Sequence, residues 1–153
     1  MKSMGFVDAL KSVLIENYAN FKGRARRSEF WYFALAAFLL GLVYSLLLVI
    51  FAADAFAVIA NGGVPSPDSF GALGILGGLF SLIQLALIVP WLAVSVRRLH
   101  DMGKSGKMLL LFLLYFVPFV GFLAALVLPI LFIVWYCQDS QPGENQWGAN
   151  PKE

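Results

Sequence analysis

The chain has 153 residues, which is enough for one domain, and 60% of them are hydrophobic while only 13% are charged. Soluble domains carry about 25% charged residues, so this chain has too few charges to cover the wet surface of a globule of its size. The net charge is +2, and the single cysteine, Cys137, excludes an internal disulfide. We therefore predict an all-α integral membrane protein: one membrane domain over residues 1–153, built as a helical bundle of three transmembrane spans plus an N-terminal amphipathic helix.

Residues 3–20 are predicted to form that amphipathic helix. Phe6, Leu10, Leu14 and Tyr18 recur at helical spacing, with polar residues on the opposite side of the wheel. Such a helix can lie in the membrane interface or pack against the bundle, and binding a soluble partner is the second interpretation. The polar segment before the first apolar run is too long and too mixed for the start of a signal peptide, so we expect the first span to stay as an uncleaved anchor.

The arm that follows contains FKGRARRSEF, with three arginines in four residues and Glu29 near the start of the next helix. Residues 30–53 carry no charge and are long enough to cross a hydrocarbon layer of ~30 Å, so they form predicted span 1. Residues 54–70 contain the turn sequences NGG and PSP and form a predicted external loop.

Residues 71–96 form predicted span 2, and small residues dominate one part of it. Glycines let helix backbones approach closely in lipid, which makes Gly71, Gly74, Gly77 and Gly78 candidate packing positions. Gln84 is the one strongly polar side chain in mid-span, and we expect it to make an interhelical hydrogen bond.

Residues 97–107 form a predicted cytoplasmic loop, and the apolar run 108–136 allows two topologies. One is a tilted third span kinked at Pro118 and Pro129. The other is a hairpin whose first limb of ~10 residues is too short to span alone. The single span is favoured, because a tight turn in lipid needs neighbours that satisfy its backbone. The irregular polar tail 137–153 would then lie outside, whereas a hairpin would place it inside.

The basic residues predict the orientation. The N-terminal arm and the 97–107 loop are basic while loop 54–70 has no basic residue, so the N-terminus and both basic segments are expected on the cytoplasmic side of the membrane. We predict that the two segments form one polar cap in which Glu29 and Asp101 pair with some arginines and the other cations contact phosphates of anionic lipids or an acidic protein partner. The predicted cap residues are Arg24, Arg26, Arg27, Glu29, Arg97, Arg98, His100, Asp101 and Lys104.

Two chemical motifs in this loop can be tested by their spacing. The letters GKS at 103–105 do not make a phosphate-binding loop, since Arg98 stands where the first glycine must be. His100 and Asp101 resemble a metal-hydrolase dipeptide, but the chain has no second histidine and few cytoplasmic carboxylates. We therefore predict no catalytic residue, no metal, no cofactor and no nucleic-acid partner.

Four segments carry a resemblance to a known family. They are FKGRARRSEFWYF (21–33), RRLHDMGKSG (97–106), VPFVG (117–121) and PGENQWGANP (142–151). In this order they resemble the signatures of domain-of-unknown-function family 805, and the resemblance covers nearly the whole chain. It implies a multi-span helical protein of the bacterial inner membrane and no established activity, ligand or catalytic residue.

Three functions are compatible with these patterns. The first is a non-enzymatic scaffold, assembly factor or regulator that binds a membrane or cytoplasmic protein. The second is a small transporter or channel subunit acting as a homo-oligomer, although the three apolar runs contain no Asp, Glu, Lys, Arg or His to mark an ion path. The third is a lipid-acting enzyme that uses His100 and Asp101.

Overall fold

The structure is a computed structural model that describes residues 4–152, apart from the side chains of Asp54, Asp68, Ser69 and Ala72. Within these residues every regular element is helical, which confirms the all-α class. The elements are α1 (Phe6–Lys11), a π-helical turn (Ser12–Glu16), α2 (Arg27–Ala60), α3 (Asp68–Asp101), a 3-10 segment (Gly106–Phe116) and α4 (Val120–Cys137).

The N-terminal helix is shorter than the predicted 3–20, because Asn17 ends it. The amide N–H of Asn17 donates to the Ser12 carbonyl at 2.8 Å, and its side-chain amide donates to the same oxygen at 3.2 Å. A polar side chain that bonds nearby backbone in this way competes with further helix growth. Ala9, Ser12 and Val13 are buried while Ile15 is exposed, so the helix has one buried and one exposed face.

The two long helices extend beyond the predicted spans, and glycines end both of them. α2 continues past residue 53, which reduces the predicted loop 54–70 to residues 61–67, and α3 continues through half of the predicted loop 97–107. Gly62 has φ +75° and Gly103 has φ +73°, each just beyond a helix end. The amide of Lys104 bonds to the Leu99 carbonyl at 2.9 Å, which makes the α3 terminus a Schellman motif.

The third apolar run is a hairpin, so the single helix favoured for residues 108–136 is wrong. The 3-10 segment ends at Phe116, a turn follows, and α4 begins at Val120. Phe112 of the first limb packs on Phe132 of α4 with ring centroids 4.6 Å apart. The turn bonds the amides of Val117, Val120 and Gly121 internally, which reduces the backbone cost on which the single span was preferred.

Three helices among the described residues are long and apolar enough to cross a membrane: Arg27–Ala53 within α2, Leu73–Asp101 within α3, and Val120–Cys137. At 1.5 Å per residue, the 34 residues of α2 measure about 51 Å, which exceeds the ~30 Å of hydrocarbon. Part of each long helix therefore extends beyond the hydrocarbon layer.

The chain divides into two compact units. The cap unit comprises Met1–Phe33 and Val89–Glu153, and the second unit comprises Ala34–Ile88. The cap unit has an aromatic core in which Phe30 lies 4.3 Å from Tyr136 and 6.1 Å from Trp91, centroid to centroid. The second unit contains a stacked pair of Tyr44 and Phe80 at 3.8 Å, and most of its large apolar side chains are exposed.

Candidate functional site

The centre of the candidate site is Asp101, the last residue of α3, which is completely buried. Its Oδ1 accepts a hydrogen bond from Arg24 Nε at 3.0 Å. Its Oδ2 accepts from the Arg98 guanidinium and, at 2.6 Å, from the Ser140 hydroxyl. A buried carboxylate is tolerated when it is paired and hydrogen-bonded, and here both oxygens are occupied.

Arg24 joins the N-terminal arm to the polar tail. Besides Asp101, its guanidinium donates to the backbone carbonyls of Gly143 at 2.7 Å, Gly148 at 3.3 Å and Gln141. Arg24 is buried, so these carbonyls replace the water that a guanidinium would otherwise bind. The tail is therefore part of the site and lies on the same side as the arm.

Arg98 closes the carboxyl end of α4. Its Nη2 donates to the Tyr136 carbonyl at 3.1 Å and to the Gln138 carbonyl, and its Nε donates to Tyr136 at 3.3 Å. These carbonyls have no partner within the helix, and a cation there also opposes the negative end of the helix dipole. One arginine thus satisfies Asp101 and the last turn of α4 together.

A second buried ion pair lies beside the first. Arg97 Nη2 donates to Glu29 Oε1 at 2.8 Å, and the Ser12 hydroxyl donates to the same oxygen at 3.0 Å. The π-helical turn carries Ser12, so the amphipathic helix is attached to the start of α2 through this contact. The Arg97 Nε is buried and makes no hydrogen bond within the described part of the chain.

His100 lies under the polar tail. Its Nδ1 is 3.1 Å from the Gly23 carbonyl, which can only accept, so Nδ1 is the donor. The ring stacks on Trp147 with centroids 4.6 Å apart and an 8° angle between planes. The Asn145 amide donates to the His100 backbone carbonyl at 3.0 Å. The histidine therefore holds the arm and the tail against the end of α3.

The remaining arginines of the arm also contact the tail. The Arg26 guanidinium donates to the Pro151 carbonyl, and Arg27 lies 3.5 Å from Asp139. Asp139 is exposed and also pairs with Lys152. The hydrogen bond from Lys152 is the main reason that the pKa of Asp139 lies below its usual value, and the Ser140 amide adds to this effect.

The structure brings together most of the predicted cap residues and leaves others at the surface. Arg24, Arg97 and Arg98 are buried among protein groups, whereas Arg27 is half-exposed. Lys104 is partly exposed and lies 4.7 Å above the Trp135 ring as a cation–π pair. Three guanidinium groups face two carboxylates in the buried cluster, and the backbone carbonyls of α4 and the tail compensate the excess positive charge.

Of the predicted packing residues, only Gly77 lies against another helix within the described part of the chain. Gly71, Gly74 and Gly78 are exposed, and a Cβ built on any of them meets no atom within 4 Å. A Cβ on Gly77 would lie 3.8 Å from the Tyr44 hydroxyl oxygen. Gln84 is exposed, and within the described residues no hydrogen bond reaches its amide.

Several residues of the site could not be found from residue patterns. Ser12, Ser140, Gln141 and Trp147 supply contacts from segments far away in the chain. The tail segment PGENQWGANP was a signal for Trp147 alone, and only as part of the resemblance, since its polar and turn-forming composition by itself predicts irregular structure. No group of three or more His, Cys, Asp or Glu suited to a metal ion occurs among the described residues.

The fold and the site define an integral membrane protein with apolar helices and a buried arginine–carboxylate cluster, closed over by its own C-terminal tail. The chain belongs to the family described as "Protein of unknown function (DUF805)", whose model matches residues 18–149. The predicted family resemblance is thus confirmed, and the membrane class with it.

Two relatives in Escherichia coli (strain K12) show the same extent of similarity. The chain is similar to "Inner membrane protein YhaH", with 35% identity over 143 residues that cover 91% of this chain and 93% of the relative. It is also similar to "Inner membrane protein YhaI", with 33% identity over 139 residues that cover 91% and 92%. No solved structure matches the chain.

Proposed function

We propose that this protein is a non-enzymatic scaffold, assembly factor or regulator of the inner membrane that binds its partner through the exposed surface of the cap unit. The observation that carries this proposal is the complete occupation of Asp101 by Arg24, Arg98 and Ser140. A carboxylate with both oxygens bonded and no exposed surface cannot act as a base without breaking the cluster. The polar motifs therefore build a rigid platform and not an open catalytic site.

The charge distribution supports a cytoplasmic position for this platform. All eleven Lys and Arg residues and seven of the nine Asp and Glu residues belong to the cap unit, a balance of +4. The second unit has the other two acids and no basic residue, a balance of −2. Basic segments stay on the cytoplasmic side of bacterial inner membranes. We propose that the N-terminal arm, the α3 terminus and the tail all face the cytoplasm.

The cations left at the surface define what the platform binds. Lys22 and Lys107 are exposed, and Lys104, three residues before Lys107, is partly exposed. Surface cations near the membrane each gain about 1 kcal/mol from anionic head groups. The partner of the cap is therefore an anionic lipid surface or the acidic face of a membrane or cytoplasmic protein.

A photo-crosslinking amino acid at Lys22 or at Lys107, in cells, tests this function. We expect a discrete adduct with another protein from these two positions. The matched control is the same amino acid at Leu46, an exposed apolar position in the second unit. Lys107→Glu should weaken the adduct formed from position 22, and Lys22→Glu the adduct formed from position 107, without lowering the unfolding temperature. Adducts with lipid alone at every position would contradict a protein partner and leave lipid as the ligand.

A reporter fused to the C-terminus tests the orientation. A fluorescent protein that matures only in the cytoplasm should be bright, and a phosphatase active only in the periplasm should be silent. The opposite result would place the tail outside, and with it the arm, because Arg24 and Arg26 hold the two together.

A second candidate is an oligomeric transporter or channel subunit, and the open glycines of α3 favour it. Gly71, Gly74 and Gly78 leave room for another helix, and small residues are what such contacts use. Purified protein in vesicles should then show a conductance that is lost when Gly74 and Gly78 are both changed to Leu. Self-adducts of twice the chain mass at Leu46 would support the same alternative.

The lipid-acting enzyme that uses His100 and Asp101 has the least support. His100 is buried under Trp147 and its Nδ1 is bonded to Gly23. If His100→Ala leaves the cellular phenotype of the wild type unchanged while it lowers stability, the histidine has the structural role that its contacts describe.

A further inference from the structure

The hairpin of the 3-10 segment and α4 has both ends in the cap. Its first limb starts at Gly106, directly after the α3 terminus, and α4 ends at Cys137. The Tyr136 carbonyl accepts from Arg98, and Trp135 lies under Lys104 at 4.7 Å. The Gln141 amide also bonds to the Asp101 carbonyl at 2.9 Å. The chain therefore enters and leaves this hairpin on one side, whichever side of the membrane that is.

The first limb is too short to carry the turn through the bilayer. The 11 residues of the 3-10 segment measure about 22 Å at 2.0 Å per residue, and the part that follows the charged Lys107 is shorter still. This length is smaller than the ~30 Å of hydrocarbon. The 18 residues of α4 measure about 27 Å, which is enough for a short span, but their last turn belongs to the cap. Because the first limb leads from the cap to the turn, its length places the turn inside the layer.

The side chains of the turn suit lipid and not water. Phe116 and Phe119 are 85% and 93% exposed, although phenylalanine is usually buried. Residues 108–136 contain no charged residue and no Ser, Thr, Asn or Gln. A turn that emerged into water would be expected to carry such residues, as the 61–67 connection does with Asn61 and Ser66.

The turn bonds most of its own backbone amides. The Val117 amide donates to the Leu114 carbonyl at 3.1 Å, and the Gly121 amide donates to the Val117 carbonyl at 2.7 Å. Pro118 has no N–H to satisfy. The Val120 amide donates to the Pro118 carbonyl at 2.7 Å across Phe119, a γ-turn that requires the unusual φ of +63°. Within the described residues the Phe119 amide has no acceptor. In lipid an unbonded amide costs several kcal/mol, so the three internal bonds favour this strained turn there.

We propose that Gly106–Cys137 is a re-entrant hairpin whose tip, residues 116–120, is held by lipid acyl chains and reaches neither aqueous phase. The hairpin thus docks the cap unit onto the bilayer from one side. This inference does not rest on the proposed function, since it holds for either orientation and for any partner of the cap.

Single cysteines in a Cys137→Ser background test the proposal. The tip carries Phe119→Cys, and the two controls are Lys107→Cys at the cap end and Asn61→Cys in the 61–67 connection. Each variant is treated with a membrane-impermeant maleimide, once in intact cells and once in inverted membrane vesicles. Labelling after denaturation in detergent gives the total amount of thiol in each sample.

We expect each control to be labelled in one preparation, Lys107→Cys and Asn61→Cys in opposite ones. Phe119→Cys should be labelled at least ~10-fold more slowly than the controls in both, because maleimide attacks the thiolate and hydrocarbon disfavours that charge. Labelling of Phe119→Cys in the same preparation as Asn61→Cys would overturn the proposal in favour of two complete crossings. Labelling of Phe119→Cys in the same preparation as Lys107→Cys would show that the hairpin lies outside the membrane. Phe116→Cys repeats the measurement at the second exposed tip position, so that a poorly folded Phe119 variant does not decide the result.

Discussion

Arg97 and Arg98 are neighbours in sequence, and each is bonded to a different carboxylate. Arg97 is paired with Glu29 at the start of α2, whereas Arg98 is paired with Asp101 one turn further along α3. Consecutive residues on a helix point about 100° apart, so they face different elements. Replacing one partner of a buried pair leaves an uncompensated charge, which typically costs 3–5 kcal/mol. The choice of partner at each arginine therefore matters for stability.

A double-mutant cycle on Glu29 measures this choice. The variants Glu29→Gln and Arg97→Gln, singly and together, should show a coupling of about 0.5–3 kcal/mol in the free energy of unfolding, because the two residues share one buried contact. The same cycle with Arg98→Gln should be closer to additive, since Arg98 bonds to Asp101 and to the end of α4. Chemical unfolding in detergent micelles provides the free energies. Equal coupling in both cycles, or a larger one with Arg98, would contradict the pairing in the structure.

Among the elements, the end of α3 depends on one glycine. Gly103 adopts φ +73°, and a Cβ there would lie 2.7 Å from the Gln141 side-chain oxygen. The backbone at this position must be left-handed, and there is no room for a side chain because the tail passes directly over it. The two requirements come from different parts of the chain: the helix end imposes the first, and the docked tail imposes the second.

Gly103→Ala should therefore lower the free energy of unfolding by about 1–2 kcal/mol from the left-handed backbone alone, with a further loss where Gln141 is displaced. Gly41→Ala is the matched control, since Gly41 lies within α2 and a Cβ there meets no atom within 4 Å. That control should be neutral or slightly stabilising, because alanine is the better helix former. Thermal unfolding of both variants in the same detergent makes the comparison. Equal unfolding temperatures would contradict a left-handed backbone at Gly103 as well as its constraint by the tail.

At the scale of the whole molecule, the cap unit is assembled from both ends of the chain. The first 33 residues and the last 65 form one compact unit, although the second unit separates them in sequence. Backbone carbonyls of the tail serve as ligands for Arg24 and Arg26 of the arm. Since these groups belong to the two termini, the cluster cannot form until the whole chain has been inserted.

Removal of residues 142–153 should therefore destabilise the cap unit. Arg24 would lose the Gly143 and Gly148 carbonyls, and His100 would lose Trp147. Hydrogen bonds to charged groups contribute about 1.5–3 kcal/mol each, so we expect a loss of at least ~3 kcal/mol and a clearly lower unfolding temperature. Glu144→Gln, an exposed position within the same segment, is the control and should behave like the wild type. A truncated chain as stable as that control would mean that the tail is not part of the fold.

The sequence by itself determined the medium in which the chain folds and the existence of the two long helices, α2 and α3. Uncharged runs of sufficient length must be helices in lipid, because an isolated segment there can satisfy its backbone only internally. It also indicated that Glu29 and Asp101 would pair with arginines, since buried or interfacial carboxylates of this kind need cations. It did not indicate which arginine would pair with each carboxylate, because the element that a side chain faces depends on how the helices pack.

Only the tertiary structure decided the third apolar run and the tail. The run 108–136 has the composition of one long helix, and the break at residues 117–119 is favoured because the conformation of Phe119 lets the Val120 and Gly121 amides bond within the turn. The tail has no apolar pattern at all, and it is ordered because its carbonyls and Trp147 find Arg24 and His100. Local periodicity reports only contacts within a segment, whereas contacts of the tail, such as those of Asn145 with His100 and of Gly143 with Arg24, join residues 45 and 119 positions apart.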